Sequence, residues 1–262
     1  MKSIIIRGAI SHQNKPNNHL VNVVRTIRQW FDDELIICTW KHEENKIPAT
    51  IQKLVNNIVF IEDPGPGPIQ NIIRQLYSFQ EGLKHSSGDV VLVTRSDIVF
   101  NQNVFLFLNN QYKKHNLNLK FVDNKILIGN IMSINPNSNE QPNTFRLSDW
   151  FHCGYKTDIE KLISGLEIVV NADAVKLQQL FNNDKMCTEK LWLLSLLNKY
   201  FGCNLYDSTK IDHLFWDFIL NNFVILNSIT TLNTHNLNYP LQPQNMPCYL
   251  TEEDYIQHYN VL

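Results

Sequence analysis

Glycine is scarce in this chain, nine residues in 262. No G-x-G-x-x-G or P-loop sequence occurs, so a glycine-built phosphate cradle is not encoded. Nor is there a dense Lys/Arg stripe: 23 basic against 25 acidic side chains leave a formal net charge of −2, which removes the electrostatic footprint of a nucleic-acid partner. The five cysteines, Cys38, Cys153, Cys187, Cys203 and Cys248, are odd in number, scattered and never in a C-x-x-C pair. That pattern argues against a disulfide frame or a zinc site and fits reduced thiols in a cytosolic protein. No G-x-S-x-G elbow is present, which removes the usual Ser/His/Asp hydrolase. The most apolar segments, Leu191 to Leu197 and Phe215 to Leu226, are short or broken by Asn221-Asn222, well below the roughly 20 apolar residues of a spanning helix. Met1 to Arg7 is too brief an apolar run for a signal-peptide core. The expectation is a cytoplasmic protein without a transmembrane segment, with room for peripheral membrane association.

What is present is a hydrophobic fraction of 44% and a charged fraction of 18%, ordinary for a chain that folds around a core. In the first half, short apolar runs alternate with helix-like segments, the pattern of a mainly parallel sheet flanked by helices. Strands are predicted at Ser3 to Ile6, Leu35 to Thr39, Ile58 to Ile61 and Val90 to Val93. A helix over His19 to Phe31 should bury Leu20, Val23, Val24, Ile27 and Trp30, and a short one is expected near Ile51 to Val55. Glu62-Asp63-Pro64-Gly65-Pro66-Gly67-Pro68 must be a loop, because its prolines forbid continued strand pairing and also remove the N–H donors a phosphate cradle needs. The helix Ile69 to His85 should bury Ile72, Ile73, Leu76, Phe79 and Leu83. Beyond residue 100 the pattern is less regular and rich in Asn. It suggests strands at Lys125 to Ile128 and Ile131 to Ile134, a polar loop over Ile134 to Asn143, an aromatic and polar cluster over Ser148 to Lys156, and a helix over Thr188 to Phe201 ending at Gly202.

Ligands of open α/β sheets bind outside the carboxyl ends of the strands. In chain order those ends offer Arg7, Gly8 and Ala9, then Thr39, then Asp63, then Arg95, Ser96 and Asp97, while Asn71 and Arg74 open the helix after the proline loop. A helix N-terminus favours an anion, and Arg is suited to bidentate phosphate binding.

Read in this order, the chain resembles GT-A glycosyltransferases, with Asn71, Arg74, Gly82, Gly88 and Asp97 as the matching residues. More narrowly, Gln75, Ser78, Gly82-Leu83, Arg95-Ser96-Asp97, Ser148-Asp149-Trp150-Phe151 and Gly154 resemble the WavE family of lipopolysaccharide-synthesis proteins. The resemblance implies a single GT-A-like, Rossmann-like α/β domain over 1–262, with 1–100 binding the nucleotide sugar and 101–262 the acceptor. It also implies a glycosyltransferase moving a sugar from a nucleotide-sugar donor to a glycan or lipid-linked saccharide acceptor in surface polysaccharide or lipopolysaccharide synthesis.

Two acids are candidates for taking the acceptor proton. Glu189, near the start of its helix behind a Thr188 cap, stands where many inverting GT-A enzymes carry an acid. Asp149 is the other, with Trp150, Phe151 and His152 as acceptor-binding neighbours. Arg95 departs from the D-x-D pattern by replacing its first Asp. A divalent cation, Mn²⁺ or Mg²⁺, held by Asp97 and His235 is one expectation, and Arg95 itself carrying some of that charge is the other. A non-catalytic sugar or nucleotide-binding module is the competing reading, and a nucleotidyltransferase a third.

Overall fold

The computed structural model describes residues 1–10, 19–109, 117–129, 147–182, 186–206 and 214–226. The elements predicted for 131–143, the metal candidate His235 and Cys248 lie outside them. One seven-stranded sheet in the order β3-β2-β1-β4-β6-β5-β7 runs through both halves of the chain. Its strands are β1 (Lys2–Arg7), β2 (Glu34–Trp40), β3 (Asn57–Ile61), β4 (Val90–Arg95), β5 (Ile126–Gly129), β6 (Phe151–Tyr155) and β7 (Phe223–Leu226). β3, β2, β1 and β4 are mutually parallel, β5 pairs parallel with β7, and β6 runs antiparallel to both β4 and β5. The protein is thus a mixed α/β domain with a mainly parallel sheet flanked by helices.

Because side chains alternate along a strand, the sheet divides its apolar residues between two cores. Ile5, Ile36, Cys38, Val91, Val93, Ile126, Ile128 and Ile225 face one side. Ile4, Ile6, Leu35, Ile37, Leu92, Leu127 and Val224 face the other. The second side is covered by α1 (His19–Trp30) and the short α2 (Ala49–Gln52). On α1, Leu20, Val23, Val24 and Ile27 are buried as predicted and Val21 is buried as well, but Trp30 at the C-terminal end is 42% exposed. Trp30 instead anchors through Nε1 to the Phe100 carbonyl at 3.1 Å.

The first side is covered by α3 (Pro68–His85), by α4 (Lys156–Ser164) and α8 (Phe215–Asn222), which also contact strands, and by α5 (Glu167–Val170), α6 (Ala174–Asn182) and α7 (Thr188–Phe201) packed against α3. Ile72, Leu76, Phe79 and Leu83 of α3 are buried there, with Ile73 partly so. Gly82 lets this helix lie close on β1: a Cβ at that position would stand 2.5 Å from Ile5 Cγ2. α7 ends at Gly202, whose φ of 71° is the left-handed closure expected of a helix-stopping glycine. Its N-cap is Cys187 rather than Thr188, without a side-chain capping bond.

Phe151 and His152 were expected on an acceptor surface. They belong to β6, a strand covered on both faces, and each has 0% exposure. Phe151 meets Phe100 edge-on with ring centroids 5.5 Å apart. His152 sits between Phe79 and Trp192, at 5.5 and 4.9 Å.

Candidate functional site

The carboxyl ends of β1, β2 and β4 reach one rim of the sheet together with the start of the antiparallel β6. Alternation decides what that rim presents. Ile5, Cys38 and Val93 face α3, so Arg7, Trp40 and Arg95, two residues further along each strand, face it too. There the strands end, and a cavity of about 250 Å³ opens between them and the N-terminal half of α3. Arg7, Gly8, Ala9 and Trp40 form one wall, Arg95, Ser96, Asp97 and Asp149 another, and Asn71, Arg74, Gln75 and Ser78 of α3 the third.

The sequence-based reading placed Arg7, Gly8, Ala9, Asn71, Arg74, Arg95, Ser96, Asp97 and Asp149 at such a site, and all of them line this cavity. It did not single out Trp40, Gln75 and Ser78 as site residues. Gln75 and Ser78 follow Asn71 at intervals of four and three residues, the spacing of one helix face, and that signal was available. Thr39 is the opposite case. It points to the other side of β2, is fully buried, and its Oγ1 donates to Glu43 Oε2 at 2.8 Å. The same carboxylate oxygen accepts the Ile10 N–H at 2.9 Å, so Thr39 and Glu43 together hold the chain leaving β1. Asp63 does not line the cavity.

Arg95, the last residue of β4, is the hub. Its Nε and Nη2 donate to the two carboxylate oxygens of Asp97 at 3.0 and 2.8 Å, and its Nη1 lies 3.6 Å from Asp149 Oδ1. The side chains of Asp97 and Asp149 are 4% and 7% exposed, that of Arg95 32%. Burial works against the Arg95 charge, but Asp149 and Asp97 outweigh it and raise the guanidinium pKa; Glu189 is near enough to add to this. The ring of Trp150 lies 5.8 Å from the same guanidinium, and its backbone carbonyl accepts the Arg95 N–H at 3.2 Å. With 5% exposure, Trp150 supports the site from within the core rather than offering a platform to an acceptor.

Arg7 lies deeper. It is 4% exposed, stacks 4.6 Å from the Phe79 ring centre, and donates from Nη2 to the Asp149 carbonyl at 2.8 Å. Burial pulls its pKa down to about 10 against the opposing pull of Asp149, so it stays charged at neutral pH. Gln75 Nε2 donates to Asp149 Oδ2 at 2.8 Å. Arg7 Nε, Gln75 Oε1 and Asp149 Oδ1 are buried without a hydrogen-bond partner in this structure.

At the cavity's outer edge, in the second turn of α3, Arg74 is held by Asp63 through two bonds of 2.6 and 2.7 Å. Those bonds keep the Asp63 carboxyl below its ordinary range. Asn71 Nδ2 approaches Thr188 Oγ1 at 3.5 Å, which brings the N-terminus of α7, and with it the half-buried Glu189, beside the start of α3.

A divalent cation fits this arrangement poorly. Both oxygens of Asp97 are engaged by a guanidinium, and Asp149 is shared between Gln75 and Arg95. Among the described residues no three His, Cys, Asp or Glu side chains converge as a metal-binding group. No helix among them is long and apolar enough to cross a membrane.

Solved structures similar to this one are distant in sequence. The galactosyltransferase LgtC in complex with donor and acceptor sugar analogues aligns with a TM-score of 0.44 at 12% identity, over 100% of this chain and 96% of that one. Residues 1–349 of TarS from S. aureus align with a TM-score of 0.44 at 12% identity, over 99% and 69%. The 4-diphosphocytidyl-2C-methyl-D-erythritol synthase of Anaerococcus prevotii aligns with a TM-score of 0.42 at 14% identity, over 99% and 94%. No curated protein matches the chain significantly. The family profile for WavE lipopolysaccharide synthesis matches residues 2–242, nearly the whole chain, and the protein belongs to that family.

Proposed function

We propose that the protein is a GT-A-type glycosyltransferase that takes a sugar from a nucleotide-sugar donor and adds it to a glycan or lipid-linked saccharide during surface polysaccharide or lipopolysaccharide synthesis. One observation carries the reading: Arg7, Arg95 and Arg74 meet the first turns of α3 around a single cavity at the carboxyl rim of the sheet. Guanidinium groups are the donors that suit a diphosphate leaving group. Charge stabilisation of this kind counts most as the glycosidic oxygen departs.

In the transfer, an acceptor hydroxyl oxygen attacks the anomeric carbon, the bond from that carbon to the diphosphate oxygen breaks, and the nucleoside diphosphate leaves with the electron pair. Glu189 takes the acceptor proton in an inverting reaction. Glu189 is not among the residues lining the cavity, but it opens α7 next to Thr188, which meets Asn71, and it lies close enough to Arg95 to act on its charge, which supports this role. Asp149 suits that role less well, since it is buried and bonded to Gln75. Its task is to hold Arg7, Gln75 and Arg95 in place.

The engagement of Asp97 by Arg95 favours a second reading, a non-catalytic sugar or nucleotide-binding module. A thermal-shift panel of UDP-, GDP-, CMP- and TDP-sugars, followed by an assay of nucleotide release with the stabilising donor, separates the two. Stabilisation with release supports transfer, stabilisation without release supports the module, and a panel that leaves the melting temperature unmoved sinks both.

A further inference from the structure

We infer that this site binds the diphosphate of its donor without a divalent cation, the Arg95 guanidinium standing where a cation would otherwise bridge Asp97 and Asp149. The inference rests on the nucleotide-sugar reading above and adds the nature of the counter-charge.

Two buried carboxylates on one wall of a cavity need a cation between them, because an ionised acid out of water is costly unless paired. Arg95 meets that need from within the chain. It holds Asp97 in a two-point bond of 3.0 and 2.8 Å and stands 3.6 Å from Asp149. A divalent ion on either carboxylate would have to break those bonds and then sit against a guanidinium of like charge. On Asp149, Oδ2 accepts from Gln75 at 2.8 Å, and Oδ1, which accepts no hydrogen bond, already faces the Arg95 guanidinium at 3.6 Å.

The same guanidinium is also placed to meet a ligand. A guanidinium has five N–H donors, two of which go to Asp97. The side chain is 32% exposed and lines the cavity. Beneath it, Arg7 supplies a second fixed positive charge, tied to the Asp149 carbonyl and the Phe79 ring. The wall therefore carries its own balanced cations, already oriented, and the diphosphate meets them without a metal to recruit.

Titration calorimetry of the full chain with UDP, GDP, CDP and TDP, in excess EDTA and again with Mn²⁺ or Mg²⁺, tests this. The expected result is that at least one nucleoside diphosphate binds in EDTA and that metal changes its Kd by less than about threefold. Binding that requires metal, or that tightens by roughly tenfold or more with it, the scale of a charged hydrogen-bonded contact, overturns the inference and leaves the nucleotide reading standing. If none of the four binds under either condition, the nucleotide reading fails and the inference falls with it. Arg95→Asp should reverse the pattern: diphosphate binding in EDTA weakens by about tenfold or more and Mn²⁺ restores it. A variant that binds in EDTA as tightly as the wild type contradicts the role given to Arg95. Should Arg95→Asp fail to fold, the wild-type comparison still decides.

Discussion

The two ends of the parallel strands both carry polar side chains and are finished differently. At the amino end, Ser3 of β1 and Glu34 of β2 stand side by side in register, and their side chains close a network. Ser3 Oγ donates to Glu34 Oε2, which also accepts the Ser87 N–H at 2.8 Å, while Ser3 Oγ accepts the Gly88 N–H at 2.8 Å. At the carboxyl end, Arg7, Gln75 and Asp149 each bury a polar atom that makes no hydrogen bond, the Asp149 oxygen having only the more distant Arg95 at 3.6 Å. An unmatched buried group costs about 1–3 kcal/mol, and a ligand that supplies the missing partner recovers it. The satisfied end is scaffold. The unsatisfied end is where binding free energy can be gained.

The sharpest way to break this contrast is at Asp97. Asp97→Asn keeps the volume but removes the charge that orients Arg95. Donor turnover is expected to fall by ~10²–10³-fold, the scale seen when a preorganised charge-stabilising contact is lost, with circular dichroism showing the fold retained. Undiminished turnover would remove Asp97 from the site.

The next largest effect belongs to the opposite end. A Cβ at Gly88 would lie 2.6 Å from Ser3 Oγ and 2.7 Å from the backbone of Lys2 and Ser3, so Gly88→Ala should cost about 1–3 kcal/mol of stability in denaturant titration. Turnover per folded molecule should be unchanged, because this network is far from the rim that binds. A loss of turnover at full folding would show that the two ends are coupled.

Asp63→Asn tests the cavity's outer edge. The Arg74–Asp63 pair is partly exposed, 29% and 16%, so its loss should cost only ~0.5–1 kcal/mol of stability. Release of Arg74 should change donor KM more than kcat, which steady-state kinetics reads directly.

The smallest expected effect is a pH dependence. Burial alone would raise the Glu34 pKa, but hydrogen bonds from Ser3 and Ser87 outweigh it and bring it below its ordinary 4.5. A carboxyl whose pKa is lower folded than unfolded contributes stability above its unfolded pKa and loses it as pH falls through the folded value. Melting temperature should therefore drop below about pH 4.5 in the wild type, and the drop should be shallower in Glu34→Gln.

How far the site could be read in advance follows from strand geometry. Strands buried on both faces appear as plain apolar runs, and for that reason β1, β2 and β4 and their rim residues stood out. The pleat did not. Thr39 and Trp40 are neighbours in sequence but face opposite sides, so choosing Thr39 missed the residue that lines the cavity by one position. β6 was hidden because His152 and Gly154 interrupt its apolar run. His152 is tolerated there as a neutral ring between Phe79 and Trp192, its pKa driven well down by burial. Phe215 to Leu226 reads in sequence as an apolar segment broken by Asn221-Asn222, and that break is where α8 gives way to β7. Asn222 separates them: its Oδ1 accepts the Phe121 N–H at 2.8 Å and its Nδ2 donates to the Leu119 carbonyl at 2.6 Å. Such a partner, about a hundred residues away, leaves no local trace in sequence.

A crystal structure of the full chain with a nucleoside diphosphate tests the central claim most directly. The expected result is phosphate oxygens within hydrogen-bond distance of the Arg95 guanidinium, at the carboxyl rim beside Arg7 and the start of α3. A diphosphate seated instead at the amino end, in the open hollow lined by Arg28, Lys53, Asn56 and Ser87, would contradict the account.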